Sequence, residues 1–255
     1  MKYRTPNAVR WMAVACGIVT TGCLQSATTA RAARSTLVIG IDVSGSFRPH
    51  YDDAIRFASH YLYGHLNGLG ELRVPSTVLV GSVGGGQPGE AKSFQPEHMF
   101  QGKPVAEIEQ TLRNLFPPED TYTDFNAFFD RVATHIKRRG LVLVPINIML
   151  FSDGVPDVTN TPGQQAGDRY SEIDLSSLEY LSRSVTVRLL YATPTVSVEW
   201  ERGVKRQRVR MWTVDAPVMS GWTEQLANDV EPAEQTALWR WVEDNVNFRV
   251  RTRIL

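Results

Sequence analysis

The chain has 255 residues, 42% hydrophobic and 21% charged, with 27 Lys or Arg against 27 Asp or Glu. These values exclude a disordered, collagen-like or strongly polycationic chain and leave room for one large domain or two small ones. Both cysteines, Cys16 and Cys23, fall near the start, so no disulfide is expected in the remainder of the chain.

The N-terminus has the layout of a secretory signal peptide. Lys2, Arg4 and Arg10 precede the short apolar run Trp11–Val19, and small residues come next. The run meets polar Thr20-Thr21 too early for a membrane-spanning helix, which needs about 20 apolar residues. Two processing sites compete. Thr20-Thr21-Gly22-Cys23 is similar to a bacterial lipobox, which would remove residues 1–22 and leave a lipid anchor on Cys23 in the membrane. Ala30-Arg31-Ala32 offers ordinary cleavage after Ala32 and a secreted or periplasmic product. Loss of residues 1–22 leaves 24 basic against 27 acidic side chains, a net charge of −3, which argues against a nucleic-acid partner. Leu24 after the cysteine hints at the outer membrane, in a cell that has one.

Residues 23–35 read as a small, polar and basic tether, and residues 36–255 as one domain without internal repeats. The continuous apolar run TLVIGI at Thr36–Ile41 predicts a strand covered on both faces, with similar runs at Thr77–Val80, Val142–Phe151 and Val185–Tyr191. Helical spacing appears over Asp52–Leu66, over Val105–Phe116, and most clearly over Phe125–Lys137, where Phe125, Phe128, Phe129, Val132 and Ile136 form one stripe. Strand–helix alternation of this kind predicts a doubly wound α/β fold, an open and mostly parallel sheet with helices on both faces. Gly81–Lys92 and Val155–Glu172 read as turn-rich interruptions. Thr195–Val214 reads as a hairpin with Lys205, Arg206, Arg208 and Arg210 along one arm, and Pro232–Asn247 as a closing helix.

Ligands of such sheets bind beyond the carboxyl ends of the strands. Two acids stand at such ends, Asp42 after LVIGI and Asp153 after INIMLFS. In a fully extended strand Asp42 and Ser46 would lie about 13 Å apart at roughly 3.3 Å per residue. Convergence of Asp42, Ser44 and Ser46 on one ligand therefore requires the chain to curl off the strand, which Gly45 permits. Carboxylate and hydroxyl oxygens suit Mg²⁺, Mn²⁺ or Ca²⁺ better than zinc. Taken alone, DVSGS is equally compatible with a turn that caps the next helix.

The sequence IGIDVSGS, followed by TYTDFNAFF and IMLFSDG, resembles the von Willebrand factor A domain over roughly residues 36–247. The resemblance implies a metal-ion-dependent adhesion site. Its ligands would be Asp42, Ser44 and Ser46 from the first loop, Thr123 from the second, and Asp153, often acting through water, from a later strand. Thr121 competes with Thr123, which is favoured because it precedes Asp124 and opens the strongest helix. The second loop reads Asp120-Thr121-Tyr122-Thr123 where the family usually has glycines, so Tyr122 is expected to narrow access. The implied role is protein binding, with an acidic side chain of the partner completing the coordination sphere.

Catalysis is the main rival class. A metal-dependent hydrolase using Asp42 and Asp153 would usually carry D-x-D, whereas the second acid here is Ser44. G-x-S-x-G is absent, and Gly84–Gly89 lacks the lysine of a phosphate loop, with Glu90 in its place. His50 is read as a surface residue before a helix, and His60 and His65 do not form an i, i+4 pair. Lys205–Arg210 is read as a solvated strand edge, or as a contact for anionic lipid or an acidic partner. A metal-independent interaction or scaffold domain is the third class.

Overall fold

A computed structural model of the chain describes residues 1, 34–87, 92–119, 122–157 and 168–247. The signal peptide, both processing sites, Cys23 and most of the tether lie outside the described residues. Among the described residues no helix is long and apolar enough to cross a membrane.

The strands are β1 (Thr36–Ile41), β2 (Thr77–Ser82), β3 (Gln95–Pro96), β4 (Ile146–Phe151), β5 (Val185–Ala192) and β6 (Arg210–Asp215). The helices are α1 (Arg48–Asn67), α2 (Val105–Leu115), α3 (Phe125–Arg138), α4 (Pro194–Gly203), α5 (Ala216–Met219) and α6 (Thr236–Asn245). The strands form one sheet in the order β3-β2-β1-β4-β5-β6. All neighbours pair in parallel except β3, a two-residue antiparallel edge. This is the doubly wound α/β architecture.

Alternation along β1 shows how both faces are filled. Leu37, Ile39 and Ile41 point into a core shared with α1, α2 and α6, while Val38 points into a second core built on α3 and α4. Two apolar faces require an unbroken apolar run, which is why TLVIGI shows no period of two. Gly40 leaves space for α3, since a Cβ there would sit 2.8 Å from the ring of Phe128.

Three expectations need correction. The strand expected from Val142 begins at Ile146, because Leu143 takes φ 74° and Pro145 precedes the ladder. The expected turn at Gly81 starts two residues late, as Gly81 and Ser82 complete β2. Thr195–Val214 is not a hairpin but α4, a loop and β6. Thr193 caps α4 by accepting from the Val196 amide at 3.3 Å, and Pro194 opens its first turn. That start signal outweighs the β-branched Val196 and Val198. The arginines after α4 are engaged. Arg206 donates to the carbonyls of Glu201 and Val204, Arg210 donates to Ser184 Oγ, and the amides of Gln207 and Arg208 donate to the Glu179 carboxylate.

Candidate functional site

The sheet order reverses at β1. The chain runs from β1 to β2 on one side and later returns to place β4 on the other. A crevice opens beyond the carboxyl ends of the strands at such a reversal. Asp42 leaves β1 there and Asp153 leaves β4. Their segments are tied together by the Asp42 amide, which donates to the Phe151 carbonyl at 2.9 Å.

Asp42 is fully buried. Its Oδ1 accepts from the Ser44 amide at 2.9 Å, so the chain curls back immediately after the strand. The hydroxyls of Ser44 and Ser46 come within 3.2 Å of each other. The helix-capping alternative for DVSGS is not what the structure shows. The residue before α1 is Phe47, and no side chain caps that helix. Thr123 is also buried, with its Oγ1 3.4 and 3.5 Å from the Asp42 oxygens. Ser44 and Thr123 are covered, whereas Ser46 is exposed and Asp153 partly so, which leaves the cluster open on one side.

Burial raises the Asp42 pKa from 3.8 to about 6, because desolvation disfavours the carboxylate, and the nearby charge of Asp153 adds to it. Hydrogen bonds from Ser152 and Ser44 act in the opposite direction. A carboxylate offers about four lone-pair positions, so acceptor capacity remains after those bonds. The donor set of two carboxylates and three hydroxyls, all oxygen, fits a hard divalent cation. Among the described residues no group of three or more His, Cys, Asp or Glu side chains is placed to hold a metal.

Several supporting residues were not singled out from the sequence. Ser152 is fully buried and donates to Asp42 Oδ2 at 2.5 Å while accepting from the Gly154 amide at 2.9 Å. Its place between Phe151 and Asp153 was the available signal. Gly154 takes φ 76°, a left-handed conformation that favours glycine. The Gly154 carbonyl accepts from Trp200 Nε1 at 2.7 Å, so α4 fixes the turn after Asp153. Asp157 accepts from the Thr123 amide at 2.8 Å and returns its own amide to the Thr123 carbonyl at 3.1 Å. On the other side, Tyr122 and Gly85 exchange two backbone hydrogen bonds of 3.1 Å. Thr123 is therefore clamped between the end of β2 and the segment after β4. The Tyr122 side chain is exposed. Asp120 and Thr121 lie outside the described residues, as do residues 158–167 of the long loop.

His50 lies inside α1 rather than ahead of it, half-buried, with its ring 6.0 Å from Phe47 and 5.8 Å from Tyr191. His65 is buried at the other end of the helix, so neither histidine joins the cluster.

No family model and no curated protein matches the chain. Structural neighbours include proximal thread matrix protein 1 from the mussel byssus, with 11% identity and a TM-score of 0.41 over 82% of this chain and 47% of that one. They include the pilus adhesin SpaC from Lactobacillus rhamnosus GG, with 21% identity and a TM-score of 0.33 over 52% of this chain and 17% of that one. The SpRpn10 VWA domain is a third, with 10% identity and a TM-score of 0.36 over 79% of this chain and 93% of that domain.

Proposed function

We propose that the chain is an exported, divalent-cation-dependent protein-binding module similar to von Willebrand factor A domains, held at a membrane by a lipid on Cys23. The observation that carries this reading is the gathering of Asp42, Ser44, Ser46 and Thr123, beside Asp153, at the reversal point of the sheet. Mg²⁺, Mn²⁺ or Ca²⁺ would be held by these oxygens and, when bound, would supply a coordination position for an acidic side chain of a partner.

The protein's own contribution is preorganisation. Ser152 and the Ser44 amide orient the Asp42 carboxylate, and burial keeps water from competing for it. The clamp on Thr123 fixes the second loop. Ser46 and Asp153 form the accessible side, where a partner would approach. The gathered hydroxyl and carboxylate oxygens suit the holding of a hard cation, and the role proposed for them is binding rather than catalysis. The segment from Val155 onward, which follows Asp153 and Gly154 directly in the chain, would select the partner.

Calorimetric titration of Mg²⁺ and Mn²⁺ into the purified chain tests the site. Saturable binding is expected in the parent and lost in Asp42→Ala and Thr123→Ala. Equal binding by parent and variants would overturn the assignment.

A further inference from the structure

Outside the Asp42 cluster, a concavity of about 660 Å³ opens between α3 and the segment that leads into β3. Lys92, Ser93 and Phe94 line one side, and Asp130, Arg131, Thr134, His135, Arg138 and Arg139 the other. Four permanent cations thus face one carboxylate in a single depression.

Helical geometry accounts for half of this arrangement. Arg131, His135 and Arg138 are four and three residues apart, so their side chains share one stripe of α3. Its opposite stripe, Phe125, Phe128, Phe129, Val132 and Ile136, is buried. Arg138 and Arg139 lie at the carboxyl end of the helix, where a cation is favoured in any case. A favourable helix end does not account for Arg131, nearly two turns earlier, or for Lys92, which arrives from a different segment.

Two of the lining side chains are held in place by contacts with the end of β2 and with Phe94. Arg131 donates from Nη2 to the Ser82 carbonyl at 2.7 Å and lies 5.8 Å from the centre of the Phe128 ring, so its guanidinium is anchored at the end of β2. His135 packs edge-on against Phe94, with ring centres 5.6 Å apart, and its Nε2 is buried without a hydrogen-bond partner. A buried unsatisfied nitrogen is costly, and an anionic oxygen in the concavity would relieve it.

We propose that this concavity is a binding site for a phosphate-bearing ligand. Guanidinium groups present forked donors that match phosphate oxygens, and three arginines with a lysine supply both geometry and charge. Phosphate oxygens reach the protein either on a small solute or on the headgroup of an anionic lipid. None of the residues that line it belongs to the Asp42 cluster.

The test uses the full chain carrying Cys23→Ser, so that no lipid is attached. Pyrophosphate is titrated by calorimetry, and binding to phosphatidylglycerol-containing vesicles is measured against phosphatidylcholine vesicles, which set the baseline for the apolar leader. Arg138→Glu/Arg139→Glu reverses two exposed charges of the concavity, and Lys137→Glu reverses an exposed charge on the same helix outside it. At least a tenfold loss of binding is expected in the double variant and little change in Lys137→Glu. Loss with pyrophosphate alone identifies a soluble ligand, loss with vesicles alone identifies a headgroup, and either supports the site. Arg139→Glu alone serves if the double variant melts early. Binding of neither probe, or equal weakening by Lys137→Glu, would overturn the proposal.

Discussion

Thr123 owes its position to atoms that are not its own. Its amide is buried with the residue and is satisfied by a carboxylate 34 positions later in the chain, that of Asp157. Removing that acceptor leaves a buried N–H unpaired, a cost of about 1–3 kcal/mol. If part of that cost falls on the loop that presents Oγ1, Asp157→Ala should lower Mg²⁺ affinity by about tenfold, equivalent to ~1.4 kcal/mol. Asp157→Asn keeps an acceptor and should recover most of the loss. The comparison separates positioning from charge: equal affinity in the parent and Asp157→Ala would show that the clamp does not position Thr123, and equal losses in both variants would assign the effect to the carboxylate's charge. The other half of the clamp is sterically tight, for a Cβ on Gly84 would lie 1.6 Å from the Tyr122 carbonyl oxygen.

Among the elements, α1 and α6 meet through a glycine. Gly64 lies in the last turn of α1 and is buried, with the ring of Trp239 over it. Replacing it with alanine gains at most about 1 kcal/mol of helix propensity, the value for a helix interior. The added Cβ would stand 2.5 Å from Trp239 Cζ3 and 2.8 Å from Leu72 Cδ1. Trp239 has little freedom to withdraw, because its Nε1 donates to the Pro232 carbonyl at 2.8 Å. Overpacking of this kind costs about 1–3 kcal/mol, so the packing term exceeds propensity and Gly64→Ala should melt a few degrees lower. A higher melting temperature in thermal denaturation would show that α6 shifts freely. The same logic explains α4. Trp200 is fully buried and bonded to the Gly154 carbonyl, so this helix is held by the turn it supports.

At the scale of the whole molecule, one contribution to the pH dependence of stability comes from a histidine buried at the far end of α1. His65 is 8% exposed and its pKa is lowered from 6.5 to about 4, chiefly by desolvation. Its hydrogen bond to the Arg73 carbonyl raises the pKa, and the charge of Arg188 lowers it further. The folded state therefore binds fewer protons than the unfolded state between those values. Above pH 6.5 both forms are neutral and nothing is lost. As pH falls to about 4 the contribution becomes unfavourable, reaching about 3 kcal/mol at ~1.36 kcal/mol per unit. The raised pKa of Asp42 acts in the opposite sense from about 6 down to 3.8, since there the folded state takes up the proton first. The two effects offset each other in the parent chain. The His65 term should thus appear as a difference, with parent minus His65→Gln stability in urea declining as pH falls from 6.5 to 4. A pH-independent difference would mean that His65 is protonated in the folded state or unfolds locally.

The alternation of buried strands with amphipathic helices was legible in the amino-acid order alone, because apolar periodicity records which faces meet a core. TLVIGI and the phenylalanine stripe of α3 could be read for that reason, and Asp42 and Asp153 could be placed at strand ends from the runs that precede them. Three features arise only when the chain is folded. Neighbouring β1 and β4 tie Asp42 to Ser152 across 110 residues. The hydrogen bonds between Asp157 and Thr123 close a clamp across loops with no periodicity to announce it. Thr193-Pro194 starts a helix where β-branched residues favour a strand, and Trp200 gives that helix its buried anchor. Each depends on which groups desolvate one another in space, and neither composition nor local propensity carries that information.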